Sequence, residues 1–118
     1  MNLFIVSLSY KSSLDEVDNH LAGHNEFLRK HYDNGIFICS GPKIPRTGGI
    51  ILCKSDSLNA VEAIIKEDPF KINGVADYEI TEFRVADYAT GFEFFLKQVF
   101  RPRPDCEKAL LELEIPGN

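Results

Sequence analysis

Ile36-Phe37-Ile38-Cys39-Ser40-Gly41-Pro42-Lys43-Ile44-Pro45-Arg46-Thr47-Gly48-Gly49-Ile50-Ile51-Leu52-Cys53 is the stretch on which the fold turns. It holds two apolar runs, residues 36–39 and 50–53, each too short for a helix and rich in β-branched side chains. Ser40-Gly41-Pro42 stops the first run, and a loop with Lys43, Pro45, Arg46 and Gly48-Gly49 leads to the second. The pattern predicts two strands joined as a hairpin with a longish connection.

Working outward gives a symmetric order. Upstream, residues 3–8 form a short apolar run that reads as a first strand, broken by Lys11-Ser12-Ser13. Ser13 followed by Glu16 is a capping-box pattern, so a helix starts there. Leu14, Val17, Leu21, Phe27, Leu28 and Tyr32 form one apolar arc, and Asn34-Gly35 ends the helix with a residue that tolerates positive φ. Downstream, Ser55-Asp56-Ser57 offers N-caps for a second helix with Leu58, Val61, Ile64 and Ile65 on its core face. Pro69 should end that helix at Asp68. Gly74 marks a loop, and residues 77–85 alternate as a fourth strand around Tyr78, Ile80 and Phe83.

The order β-α-β-β-α-β is that of an α+β, ferredoxin-like fold: a four-stranded antiparallel sheet with two helices on one face. The strands are apolar on both sides, so the open face needs a second cover. Face-to-face homodimerisation is the economical solution. Residues 1–87 make this domain. Residues 88–118 read as a C-terminal extension, packed on the same domain or on the dimer partner. Phe92, Phe94, Phe95, Leu96, Val99 and Phe100 give it an apolar helical segment, ended by Pro102 and Pro104. A short helix or strand follows in residues 105–118.

Composition narrows the function classes. The chain has 118 residues, with 13 Lys plus Arg against 18 Asp plus Glu and a net charge of −5. That length suits one domain with a real core. Hydrophobic residues at 44% argue against disorder. The acidic balance argues against nucleic acid, which calls for a basic stripe. An RNA-binding sheet is further disfavoured because the third strand lacks stacking aromatics. No apolar run approaches the roughly 20 residues that span a bilayer, so no membrane partner is expected. The opening residues lack the basic and long apolar regions of a signal peptide. Cys39, Cys53 and Cys106 are odd in number and contain no C-x-x-C pair, which suits a reducing cytoplasm. Cys39 and Cys53 read as buried small hydrophobes.

Three features could carry chemistry. His24 falls within the stripe Leu14, Val17, Leu21, His24, Leu28, where a leucine is the default. On pattern alone, a core histidine satisfied by a backbone carbonyl ranks ahead of a functional one. His20 lies at the edge of the arc, and His31 in the last turn, where a cation favours the helix C-terminus. His20 and His24 have i, i+4 spacing, yet no third ligand is in view, so no metal or cofactor is expected. Asp68 stands where the helix dipole disfavours a carboxylate by ~0.3–1 kcal/mol. Two readings are equal for it: binding amides of the turn after Pro69, or orienting and charging a histidine. Ser40, Gly41, Pro42, Lys43 and Arg46 could bind a ligand through a close backbone approach, a hydroxyl and a cation, or be a plain turn. Phe37, Phe70 and Phe83 could wall a pocket, with the core as the blander place for them.

Together, His24 before Phe27-Leu28, Asn34-Gly35-Ile36, Ser40-Gly41-Pro42, Glu67-Asp68-Pro69-Phe70, Gly74 and the strand from Tyr78 to Phe83 resemble the YciI-like (YCII-related) family of the dimeric α+β barrel type. The resemblance runs from the N-terminus to about Val85. It implies a protomer that dimerises through its sheets and a His–Asp pair proposed as an active site. Carried over, that pair is His24 and Asp68, and Ser40, Gly41 and Pro42 match the family's Gly-Pro turn. The family includes a relative that removes chloride from a chlorinated hydroxyhydroquinone, and related barrels isomerise small lactones. The expectation is a small-molecule enzyme in which His24 and Asp68 carry acid–base chemistry, with Ser40, Gly41, Pro42, Lys43, Arg46 and Phe70 about the substrate. The alternative is a non-catalytic dimer that binds a ligand or a protein and uses the pair structurally.

Overall fold

The computed structural model describes residues 2–97. The readings made of Val99, Phe100, Pro102, Pro104, Cys106 and residues 105–118 lie outside them. The central strand is β1 (Asn2–Tyr10), followed by α1 (Leu14–Asn19), α2 (Leu21–Asp33), β2 (Phe37–Pro42) and β3 (Gly48–Ser55). Then come α3 (Leu58–Ile65), α4 (Pro69–Ile72), β4 (Ala76–Phe83) and α5 (Glu93–Lys97). The four strands form one antiparallel sheet in the order β2-β3-β1-β4. This is the expected ferredoxin-like arrangement.

Strand alternation sorts the side chains into two faces. Phe4, Val6 and Leu8 of β1 point at the helices and are buried with Ile51 and Cys53 of β3. Val17, Phe27, Val61, Ile65 and Phe70 close the core from the helical side. Burial pushes the Cys53 thiol up to about 12, as desolvation of a would-be thiolate requires. The opposite face carries Ile5, Ile50 and Phe83, which are 37%, 37% and 39% exposed. At one end of this outer face Leu3 and its register partner Lys54 are buried. The Lys54 ammonium donates to the Phe95 carbonyl there, so α5 lies against that end of the sheet.

Local signals account for most boundaries. Ser13 and Ser57 cap α1 and α3 by accepting from the amides of Glu16 and Ala60. Gly35 takes φ 82° just past α2, where a β-carbon would be strained.

Three expectations need correction. The first helix is two helices, broken at His20, whose φ −110° and ψ 4° leave the helical region. Asn19 and His20 are weak helix formers, and the break lets each segment bury its own face. Ser40-Gly41-Pro42 does not stop β2 but belongs to it, paired with Ile51, Ile50 and Gly49. A proline is tolerated there because β2 is an edge strand. Cys39 is exposed, not buried: a register shift between Phe37 and Cys39 sets it opposite Leu52 on the outer face. His31 stands in the last turn of α2, as read, and is buried at 3% exposure.

Candidate functional site

The site begins at the junction of α3 and α4. Asp68 does not end the second helix of the sequence reading. It opens the next one as its N-cap, with extended φ −69° and ψ 122°, and Pro69 occupies the first helical position. Proline is well suited to that place, since its missing N–H would have no intrahelical partner. Asp68 Oδ1 accepts from the Phe70 amide at 3.0 Å and from His24 Nδ1 at 2.8 Å. The carboxylate makes two kinds of contact at once. It caps the turn after Pro69, and it binds the histidine.

Asp68 is fully buried. A carboxylate sealed from water needs several donors to remain charged. The third is Tyr78 of β4, whose hydroxyl donates to Oδ2 at 2.5 Å. Burial pushes the Tyr78 hydroxyl well above the usual tyrosine range, and its bond to Asp68 adds to the rise. Tyr78 was read only as an apolar position of the strand. Its helix-facing register was the available signal.

Packing around α4 fixes His24 further. The Phe70 ring stacks on the imidazole, with centroids 4.0 Å apart and planes at 7°. Gly23 lets α4 approach α2, since a β-carbon there would stand 3.1 Å from Pro69 Cγ. Sequence reasoning passed over Gly23. A glycine inside a helix costs about 1 kcal/mol relative to alanine, and that cost was the signal.

On its other side His24 meets a cleft of about 520 Å³. The cleft is walled by Leu21, Leu28 and Ile51 and reaches Ser40, Gly41, Pro42 and Arg46. Ser40 shares a hydrogen bond with the Tyr32 hydroxyl. Arg46 holds Asp18 across the cleft at 2.6 Å and lies 5.9 Å from the Tyr10 ring centroid. That hydrogen bond to Asp18 raises the Arg46 guanidinium further above its already high range. Asp68 sits behind His24 and does not line the cleft. Nor do Lys43, which reaches Ser9 Oγ at 3.3 Å, and Phe70, which is buried against His24. Phe37 is core and Phe83 stands on the outer face, so neither walls this cleft. His20 Nε2 stands 3.5 Å from Glu16 Oε1. Among the described residues no group of three His, Cys, Asp or Glu could hold a metal ion.

The chemistry follows from the hydrogen bonds. A carboxylate only accepts, so His24 Nδ1 donates to Asp68. In the neutral ring Nε2 then carries the lone pair. Nε2 makes no hydrogen bond among the described residues. The arrangement is an oriented base beside an open volume.

Comparison with known proteins agrees with this architecture. Among curated proteins, none matches the sequence. Among solved structures, TftG, the 5-chloro-2-hydroxyhydroquinone dehydrochlorinase of Burkholderia phenoliruptrix AC1100 in complex with 2,5-dihydroxybenzoquinone, is similar in fold. Its TM-score is 0.62 at 18% identity, over 70% of this chain and 93% of that one. A proposed antibiotic biosynthesis monooxygenase of Deinococcus radiodurans is similar at TM-score 0.50 and 18% identity, over 76% of this chain and 97% of that one. The YCII-related domain profile matches residues 1–84, and the chain belongs to that family.

Proposed function

We propose that the chain is a small-molecule enzyme of the elimination or isomerisation type, with His24 as general acid–base and Asp68 as the group that orients it. One observation carries the reading: His24 stands between an open cleft and a sealed carboxylate, with Nδ1 committed and Nε2 idle. Nε2 takes a proton from a C–H or O–H of the substrate, and the imidazolium that forms is already bonded to Asp68. In an elimination, the electron pair left behind expels an anionic group from the neighbouring carbon. In an isomerisation, the same proton returns at another carbon. Ser40 and Arg46 supply donors for an oxyanion, while Gly41 and Pro42 shape the wall. Phe70 acts through the plane of the His24 ring, and Lys43 through the charge of its loop.

A cleft of about 520 Å³ suits a small cyclic or aromatic substrate. The ring compound bound by TftG, a protein of similar fold, supports that class. No helix among the described residues is long and apolar enough to cross a membrane. The exposed outer face around Ile5, Ile50 and Phe83 supports a homodimer in which a second copy covers it. The odd cysteine count without a C-x-x-C pair favours a reducing cytoplasm for it. Residues 1–87 then act as the family domain and residues 88–118 as its extension.

The second reading is a non-catalytic ligand- or protein-binding dimer. It is favoured by the structural duties of the pair, since Asp68 caps α4 and His24 stacks on Phe70. Turnover of halogenated hydroquinones and small lactones by wild type and His24→Ala separates the two. The expected result is turnover by wild type and loss of at least about a hundredfold in a folded variant. Retained turnover in folded His24→Ala would sink the catalytic reading. Binding without turnover by both proteins would establish the second.

A further inference from the structure

We propose that Tyr78 is a positioning residue for the pair: its hydroxyl occupies the second oxygen of Asp68, so the carboxylate stays an acceptor and His24 keeps its lone pair on Nε2. This rests on the reading of His24 and Asp68 as the acid–base centre.

The placement is specific. Tyr78 lies opposite Leu8 in the β1–β4 register, on the face of the sheet that carries the core. Its hydroxyl reaches Oδ2 at 2.5 Å, while Oδ1 is shared by His24 and the Phe70 amide. Among the described residues Tyr78 is the sole donor to Oδ2. Tyr78 is held in turn. The Lys71 ammonium lies 5.1 Å from its ring centroid, and the ring walls a second groove beside Glu62 and Lys66. Three elements therefore aim one donor each at a single carboxylate: α2 through His24, α4 through the Phe70 amide and β4 through Tyr78.

Removing the hydroxyl leaves Oδ2 buried with no donor, which is costly for a charged oxygen. Nε2 takes a proton from solvent, and Nδ1 passes its own along the hydrogen bond to Asp68 Oδ1. The carboxyl then donates that O–H back to Nδ1, and the single proton of the neutral ring is on Nε2. Asp68 and the ring are both uncharged in that state, and the net gain is one proton. Nε2 no longer offers a lone pair to the cleft. An oriented histidine turned to the wrong tautomer loses its power as a base even when the geometry is intact.

The test is long-range proton–nitrogen NMR of the histidine rings in the full chain, comparing wild type, Tyr78→Phe and Asp68→Asn. Wild type is expected to hold the proton on His24 Nδ1. Tyr78→Phe is expected to make Nε2–H the major neutral form, while the His31 pattern stays unchanged as an internal control. Once a substrate is in hand, kcat of Tyr78→Phe is expected to fall about ten- to hundredfold with little change in KM. A folded Tyr78→Phe with the wild-type His24 pattern overturns the role of Tyr78 and leaves the acid–base reading standing. A wild-type His24 with its proton on Nε2 overturns both. If Tyr78→Phe does not fold, wild type decides. The proposal expects the Tyr78 hydroxyl proton to exchange far more slowly than that of the half-exposed Tyr88. Equal exchange rates overturn it.

Discussion

Helix α2 carries two buried histidines, His24 and His31, two turns apart on the same face, and each meets one of two consecutive carboxylates. His24 binds Asp68 at 2.8 Å, and His31 binds Glu67 at 3.0 Å. The pairs look alike in sequence and in separation, yet their surroundings differ. His31 has both ring nitrogens engaged, Nε2 by Glu67 and Nδ1 by the Asn34 amide, which donates at 3.0 Å. Its ring is packed between Phe27 and Phe37. Glu67 is 43% exposed and is shared with Lys30 at 2.9 Å. In the His24 pair the exposures are reversed: the carboxylate is sealed and the imidazole meets the cleft. Burial beside a carboxylate does not make a histidine chemical. The role proposed for His24 rests instead on a ring that lines the cleft with one nitrogen unengaged among the described residues.

The widest expected separation between the pairs is in turnover. His24→Gln should lose about two to four orders of magnitude in kcat, whereas His31→Gln should lose none per folded molecule. Activity assays normalised to folded protein check this. Equal losses would erase the contrast. Stability should separate the carboxylates. Asp68→Ala strands His24, the Phe70 amide and Tyr78 in the interior and should cost about 3–5 kcal/mol in urea unfolding. Glu67→Ala removes a half-exposed carboxylate and strands only the buried His31 Nε2–H, so it should cost less, about 1–2 kcal/mol. Gly23→Ala should come next, since its β-carbon presses Pro69 by a few tenths of an ångström. A loss of about 1 kcal/mol or less is expected. A larger fall in turnover than in stability would show that α4 had carried Asp68 away from His24.

The smallest effect is a pH dependence. Hydrogen bonds from Lys30, and then from His31, hold Glu67 below its ordinary value of 4.5. A depressed carboxylate adds stability that is fully present above its unfolded pKa and is lost as pH falls through the folded one. Wild type should therefore lose this small increment below about pH 4.5, and Glu67→Gln should not. Unfolding curves taken either side of that pH check the sign.

Much of the fold was legible because it rests on local signals. The runs in residues 36–39 and 50–53, the Ser13 and Ser57 caps and the Asn34-Gly35 stop each act within a few residues. The errors arose where pairing overrode local chemistry. Ser40-Gly41-Pro42 has turn composition but lies in a strand because β3 offers it partners and the sheet edge tolerates proline. Asp68 was misplaced by one element for a related reason. Pro69 marks a helix boundary, and a boundary proline both ends one helix and starts the next.

The sequence by itself determined the order of elements and the two-sided apolar sheet, while the His24 and Asp68 pairing entered only through the family resemblance. Periodicity and capping are properties of neighbours along the chain, and they can be read there. Tertiary structure alone decided that Tyr78 completes the carboxylate's donors, that Gly23 admits α4, and that His24 rather than His31 meets the cleft. Those facts join residues up to 46 positions apart, counting from Gly23 to Pro69, and are set by how helices seat on the sheet. Which histidine lines the cleft is a property of that packing, and no local pattern encodes it.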